Sequence, residues 1–215
     1  MRIKFNKTGL SGYFSHLDLQ RVMARALKKS GLPIWYSMGY NPHIYMTFAL
    51  PLSLGHESIC ESCDFRLNEE LDEETIISAL KGTLPDGIDI TAAGLPGFEA
   101  KDIRWAQYKI TIFDDGKKVM SALENFINCD SALVTKTSKK SGEKQINLKE
   151  VVKELQVLSN FENETAFTAL FPAGTQFNIN PNLLLEFMQT EYEIYVLDAN
   201  VLRQQIYNEN LEILI

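Results

Sequence analysis

The chain has 215 residues, of which 45% are hydrophobic and 23% are charged. This composition excludes fibrous, collagen-like and wholly disordered proteins, and the length fits one large domain or two smaller ones. The net charge of −7 excludes a uniformly basic nucleic-acid-binding protein but not a local basic face. The chain has no apolar run of transmembrane length and no signal-peptide pattern, so we expect a cytoplasmic protein without membrane association.

The first half of the sequence predicts two helices among four strands. Residues 2–7 alternate like a strand, and Ser15-His16-Leu17-Asp18 forms a capping box that starts a helix over residues 16–30. The remaining elements are predicted as strands at 33–37, 58–67 and 88–92, an extended segment at 47–54, and a helix at 72–84. Strand, helix, strand, strand, helix, strand is the order of the ferredoxin-like split βαβ unit.

The second half restarts a similar pattern after Gly94-Leu95-Pro96-Gly97, the best linker candidate. Periodicity predicts strands at 104–113, 132–135, 155–158, 165–171 and 192–197, with helices at 117–128 and about 180–189. We therefore predict an α+β fold of two tandem ferredoxin-like domains. The first covers residues 1–94, and the second, with insertions, covers residues 98–215.

The first helix carries a candidate phosphate-binding face. Arg21, Arg25 and Lys28 are spaced at i, i+4 and i+7, so they share one side of the helix. A guanidinium group offers a planar fork of donors that suits phosphate oxygens. The alternative is an ordinary solvated basic face. Ser15 and Asp18 fit helix caps better than catalytic groups.

The turn-rich segment Gly39-Tyr40-Asn41-Pro42-His43 is a second candidate site, because rigid polar loops often carry binding residues. His43 and His16, with Asp18 or Glu61, are candidate acid–base groups if the fold brings them together. Plain turn chemistry is the alternative interpretation. The sequence offers no ligand pair at helical spacing, so we predict neither a metal site nor a cofactor.

A Lys-rich segment over residues 136–153 is the third candidate site. It includes Lys139, Lys140 and Lys144 around a Ser-Gly step that is typical of a hairpin tip, and basic tips suit phosphate backbones. An ordinary exposed tip is the alternative. Cys60 and Cys63 lie in a predicted strand, where residues three apart point to opposite faces, so this C-x-x-C pair predicts neither redox nor zinc chemistry.

Several strings resemble one known family in order along the chain. They are Phe14-Ser15-His16-Leu17-Asp18-Leu19, Gly31-Leu32-Pro33, Ser37-x-Gly39-Tyr40-Asn41-Pro42-His43 and Gly55-x-x-Ser58-x-x-Glu61. They closely resemble the radical-SAM-linked protein family, a bacterial domain of unknown function that is fused to, or encoded beside, radical SAM proteins. The chain departs from the family pattern at Ile44 and Tyr45, where the family has Pro and a basic residue, and at Asn147, where it has Asp.

The resemblance implies a partner rather than a reaction, since the family has no established catalysis. Its gene neighbourhoods, near ribosomal-protein and ribonuclease genes, imply RNA or ribosome-associated components as the context. We therefore expect a non-catalytic recognition or accessory module for a radical SAM enzyme that binds RNA or another phosphate-bearing ligand. Its predicted ligand-binding residues are Arg21, Arg25, Tyr40, Asn41, His43, Lys139, Lys140 and Lys144.

Two alternatives remain open from the sequence. One is a standalone enzyme that uses His16 and His43 with Asp18 or Glu61. The other is a protein-interaction adaptor whose apolar segment, residues 45–54, docks on the radical SAM protein.

Overall fold

The computed structural model describes residues 1–138 and 142–215 and divides them into two compact units. Unit 1 contains Met1–Ile103 and Gln205–Ile215, and unit 2 contains Arg104–Gln204. The division falls after the predicted linker at 94–97, and the C-terminal residues cluster with unit 1 rather than with the second half of the chain.

Unit 1 contains a four-stranded antiparallel sheet with two helices. Its strands lie in the order β4-β1-β3-β2, and each neighbouring pair is antiparallel. The elements are β1 (Arg2–Lys7), α1 (His16–Lys29), β2 (Met46–Phe48), β3 (Glu57–Phe65), α2 (Glu73–Leu80) and β4 (Ile88–Gly94), with 3₁₀ turns at Gly9–Tyr13 and Ala100–Asp102.

Helix α1 forms where the capping box and the apolar spacing predict it. The backbone N–H of Asp18 donates to Ser15 Oγ at 3.2 Å, and the Ser15 hydroxyl donates to Asp18 Oδ2 at 2.6 Å. The buried stripe of the helix joins one core with residues of β1, β3 and α2. This stripe consists of Leu19, Met23, Ala26 and Leu27.

The segment between α1 and β3 is less regular than predicted. The strand expected at 33–37 is reduced to isolated bridges that pair Ile34 with Leu67 and Tyr36 with Ile44. Only Met46–Phe48 of the extended segment forms a strand. Pro33 has no backbone N–H and so cannot donate to a ladder at the start of this segment.

In unit 2, β10 adjoins β5, β5 pairs antiparallel with β9, and β9 pairs antiparallel with β8. A separate hairpin of β6 and β7 lies between α3 and α4 in the chain. The elements are β5 (Trp105–Ile112), α3 (Gly116–Asn128), β6 (Leu133–Ser138), β7 (Gly142–Asn147), α4 (Leu148–Val151), β8 (Lys153–Phe161), β9 (Glu164–Pro172), α5 (Asn182–Tyr192) and β10 (Asn200–Tyr207). The last three residues of β10 are assigned to unit 1.

The strand predicted at residues 192–197 is wrong. Helix α5 continues through Tyr192 and ends at Glu193, which adopts a left-handed conformation with φ of 54°. Ile194 is then buried without a strand partner, and the strand of this region begins only at Asn200. The period-two apolar pattern here reflects burial in an irregular segment.

The α+β class is confirmed by the antiparallel sheets and the five α-helices of the described residues. Within residues 1–138 and 142–215, no helix has both the length and the apolar character that crossing a membrane would need.

A matched pair of glycines in unit 1 tests the close approach between the α2–β4 connection and the turn after β1. Gly87 and Gly82 both have positive φ, but only at Gly87 would an added Cβ meet backbone, at 2.2 Å from Thr8 O. We expect Gly82→Ala to cost about 1–2 kcal/mol from the left-handed conformation alone. Gly87→Ala should cost roughly 1–3 kcal/mol more, because the Thr8 carbonyl must move. Urea denaturation followed by circular dichroism measures the free energy of unfolding of both variants. Equal decreases would show that the Thr8 carbonyl can move away from the added Cβ at no cost.

Candidate functional site

The cations on the exposed side of α1 differ in whether a carboxylate already pairs with them. Arg21 donates from Nη1 to Asp18 Oδ1 at 3.1 Å, so it is already paired with a carboxylate. Arg25 and Lys28 are exposed, and within the described residues neither makes an ion pair. Of the predicted basic face, Arg25 and Lys28 are therefore the groups that are free to meet an anion.

The loop after Tyr36 is closed by its own side chains. Ser37 Oγ lies 2.8 Å from His43 Nδ1 and accepts the His43 backbone N–H at 3.0 Å. The Ser37 N–H donates to the His43 carbonyl at 2.9 Å, which completes the closure. Tyr40 and Asn41 at the tip are exposed. The hydrogen bonds between Ser37 and His43 therefore close the loop. This closure supports the prediction of a rigid loop that presents polar and aromatic side chains.

Beside this loop, Arg66 joins two aromatic rings that sequence analysis did not identify. Its Cζ lies 5.4 Å from the centroid of the Trp35 ring and 5.3 Å from that of Tyr45. Arg66 is exposed, Tyr45 is about half exposed, and Trp35 is partly exposed. The backbone N–H of Trp35 also donates to the Arg66 carbonyl at 2.9 Å. We call Trp35, Tyr45 and Arg66 the aromatic cluster.

A local signal for the aromatic cluster exists in the sequence. Trp35 and Tyr45 stand just outside the residues that close the loop, and the bridge between Tyr36 and Ile44 makes them neighbours. Symmetric aromatic residues around a turn-rich loop therefore indicate a pair. The contribution of Arg66 could not be predicted in this way. Arg66 directly follows β3, and it lies beside Trp35 because two segments that are far apart in the sequence pair with each other.

The candidate acid–base residues divide into separate environments. His16 and the buried carboxylate of Glu61 line one small cavity of about 10 Å³, together with the buried ammonium of Lys7. That volume is close to the minimum for one water molecule. The His16 ring also packs edge-on against Phe48, with centroids 5.4 Å apart. His43 instead belongs to the exposed loop, where its ring nitrogen is engaged by Ser37.

The Lys-rich segment lies in unit 2. Lys139 and Lys140 fall outside the described residues. Lys144 is exposed on β7 and stands directly opposite Lys136 of β6 in the register. Lys136 is engaged by the Asn178 carbonyl and lies 5.8 Å from the Phe177 ring.

Cysteine chemistry and metal binding gain no support from the described residues. Cys60 and Cys63 are buried thiols that form no disulfide, and burial raises the pKa of the Cys63 thiol far above its usual range. That thiol therefore stays protonated and unreactive. No group of three or more His, Cys, Asp or Glu side chains in the described ranges is arranged to hold a metal ion.

Comparison with known proteins places the chain in a bacterial family. A family model described as an uncharacterized protein conserved in bacteria (DUF2344) matches residues 1–181. The chain belongs to DUF2344. No curated protein matches the chain. The DUF2344 region includes all of α1, the loop over residues 37–43 and the aromatic cluster. The radical SAM partner that the sequence resemblance implies stays a prediction.

Two of the residues that depart from the pattern of the radical-SAM-linked family, which the sequence resembles, have structural roles in this chain. Ile44 is buried, with 6% exposure, and belongs to the core of unit 1. Asn147 caps α4 by accepting the Lys149 N–H at 3.3 Å, and it also accepts the Ala132 N–H at 2.9 Å. An amide oxygen accepts these hydrogen bonds as well as a carboxylate oxygen does, so the side chain at position 147 acts as a helix cap.

The Asp18 carboxylate gives a pH test of the capping box. The Ser15 hydroxyl, followed by the Arg21 guanidinium, holds the pKa of Asp18 below its ordinary value of 3.8. A depressed pKa means that the ionised carboxylate stabilises the fold at neutral pH and that this stabilisation is lost as the pH falls through the folded-state pKa. We expect Asp18→Asn to lower the free energy of unfolding at neutral pH, with the difference from the unmodified chain vanishing in acid.

Urea denaturation across a pH series measures this difference. Glu69→Gln is the matched control, since Glu69 is an exposed carboxylate outside any helix. A difference for Asp18→Asn that stays constant down to acid pH would contradict the role of the ionised form.

Proposed function

We propose that this protein is a non-catalytic recognition module that binds single-stranded RNA on unit 1 and works with a radical SAM enzyme. The observation that carries the RNA proposal is the combination of free helix cations with exposed aromatic rings in one unit. The radical SAM partner rests on the sequence resemblance alone.

The cations supply the part of binding that is independent of sequence. Arg25 and Lys28 share the exposed side of α1, and basic side chains without internal carboxylate partners are available for phosphates. Arg21 contributes less in this proposal, because a ligand phosphate must compete with Asp18 for it.

The aromatic cluster favours single strands over duplexes. Bases can stack on aromatic rings and guanidinium planes only when they are unpaired and splayed out. Trp35, Tyr45 and Arg66 offer both kinds of surface, and the fully exposed Tyr40 adds another ring on the adjoining loop. Asn41 at the same tip is suited to hydrogen bonds with base edges.

The fold proposed is two tandem ferredoxin-like units. Unit 1 has the strand order expected for one split βαβ unit, β4-β1-β3-β2. In unit 2, the order β10-β5-β9-β8 repeats that arrangement when the segment from β6 to α4 is treated as an insertion. This interpretation supports the prediction made from element order.

The salt dependence of RNA binding tests the phosphate contacts. We expect a short single-stranded RNA of mixed sequence to bind at low salt, with log K falling linearly as log salt rises. Arg25→Ala should weaken binding and reduce the magnitude of this slope by about 0.7, the value for one lost contact to single-stranded nucleic acid. Fluorescence anisotropy of a labelled RNA measures both quantities.

Lys81→Ala is the matched control, because Lys81 is an exposed lysine that follows α2 in the same unit. It should leave the slope unchanged. Absence of binding at low salt would remove the RNA proposal, and equal effects of the two substitutions would remove the assignment to α1.

Base stacking predicts a fluorescence change at one tryptophan. The chain has two tryptophans, so Trp105→Phe leaves Trp35 as the single reporter. In this background we expect added single-stranded RNA to quench the fluorescence of Trp35. Tyr45→Ala should weaken binding by roughly 1–3 kcal/mol, the usual cost of losing one stacked base.

Tyr45→Phe is the control, since it keeps the ring and removes only the hydroxyl group. It should retain most of the affinity. Duplex RNA that quenches Trp35 as strongly as single-stranded RNA would argue against stacking.

The two alternatives have different support in unit 1. For a standalone enzyme, the cavity beside His16 and Glu61 is of single-water size, and substrate would have to open it. For an adaptor, Phe48, Ala49 and Leu50 of the 45–54 segment are buried within the unit, whereas Tyr45 and Leu54 are exposed.

Purification of the protein from the native cell, with and without nuclease treatment, separates the proposals. The adaptor is favoured if a radical SAM protein stays bound after nuclease treatment and if the untreated sample contains no RNA.

A further inference from the structure

A cavity of about 360 Å³ lies on the side of the unit 1 sheet that faces away from its core. Ile3 and Phe5 of β1 belong to the core, so the alternate residues Arg2 and Lys4 point to the opposite face, and both line the cavity. Phe98 and Leu214 also line it. The volume is in the range of pockets that hold small molecules.

Arg2 has one donor group left over. It is 4% exposed, and its Nε and Nη2 donate to the two carboxylate oxygens of Asp64 at 2.6 and 2.8 Å. The Phe98 ring lies 4.1 Å from its Cζ. The remaining nitrogen, Nη1, is buried and has no hydrogen-bond partner among the described residues. Buried donors are nearly always satisfied in folded proteins, so this one indicates a missing acceptor.

A second unsatisfied group lies on the same face. Ser62 of β3 stands directly opposite Lys4 in the register, so both side chains point to the same side of the sheet. Ser62 is buried, and its Oγ has no hydrogen-bond partner among the described residues. Ser62 does not itself line the cavity, so the case for a ligand there depends on Arg2 and Lys4.

The charges around the cavity favour a ligand with a single negative charge. Arg2 and Lys4 are the two cations that line it, and Arg2 is already paired with Asp64. The ammonium group of Lys4, which is half-buried, makes no hydrogen bond or ion pair among the described residues. Glu73 is the lining carboxylate, and its Oε1 accepts the Ala93 N–H at 3.1 Å. Lys4 is thus the one lining cation without a carboxylate partner among the described residues, and a single ammonium group suits a carboxylate better than a doubly charged phosphate monoester.

We propose that this cavity is a binding site for a small organic carboxylate with an apolar body. The carboxylate accepts hydrogen bonds from Lys4 and from Nη1 of Arg2, and the apolar body lies against Phe98 and Leu214. The site shares no residue with the proposed RNA surface, so each proposal can fail without the other.

A pair of probes that differ only in charge tests the site on the full chain. The probes are 2-naphthoate and 2-naphthalenemethanol, titrated by saturation-transfer difference NMR. We expect the carboxylate to bind about tenfold or more tightly than the alcohol, as one charge-assisted hydrogen bond allows. Nuclear Overhauser effects between the naphthalene protons and the methyl groups of Leu214 should locate the probe in the cavity.

Lys4→Met should reduce the preference for the carboxylate severalfold while keeping the alcohol affinity, because the Arg2 donor remains and methionine preserves the apolar stem. Lys117→Met, at an exposed lysine of α3 in unit 2, is the control and should change neither affinity. Circular dichroism verifies that both variants fold. Equal affinity of the two probes, no binding of either probe, or a preference that Lys4→Met leaves unchanged would each overturn the proposal.

Discussion

The turn between β1 and α1 is the constraint on which unit 1 depends, because a buried ammonium holds it in place. Lys7, at the end of β1, is 1% exposed and donates to the Gly12 carbonyl at 2.9 Å. A buried charge is tolerated only where hydrogen bonds satisfy it, so the turn must present that carbonyl. The Thr8 N–H and the Ser11 hydroxyl both donate to the Gly87 carbonyl, and the Gly55 N–H donates to Gly12. These bonds tie the turn to the connections before β3 and β4, and they fix where α1 can begin and thus where its cations stand.

Local features of the sequence predicted α1 and the closed loop, and long-range pairing decided the rest. The cap at Ser15, the apolar spacing of the helix and the turn residues of the loop act within a few positions of one another, so they can be read directly. The aromatic cluster depends on Arg66, which reaches Trp35 only because residues 34–36 lie beside residues 66–68. The cavity beside Arg2 depends on C-terminal residues more than 200 positions away, a contact that no local pattern contains.

The two departures from the family pattern at residues 44 and 45 have different surroundings in the structure. The resemblance implies a basic residue at position 45, where this chain has Tyr45. In this chain the Arg66 Cζ lies 5.3 Å from the centroid of the Tyr45 ring, so a positive charge and an aromatic ring stand together beside the loop. The buried Ile44 next to it anchors the loop to the core of unit 1.

The overall charge limits how the proposed module could bind RNA. With a net charge of −7, the molecule repels a polyanion at long range, so electrostatic steering of the kind that basic proteins use is weak. Attraction has to come from short-range contacts with a few cations and rings, and such contacts give modest affinity that falls with salt. A module of this kind becomes effective when a second binding surface is linked to it, because linkage turns the second contact into an intramolecular event at high effective concentration. The proposed accessory role therefore fits this net charge better than an independent RNA-binding role would, because an associated enzyme would add contacts that the proposed surface of unit 1 does not offer.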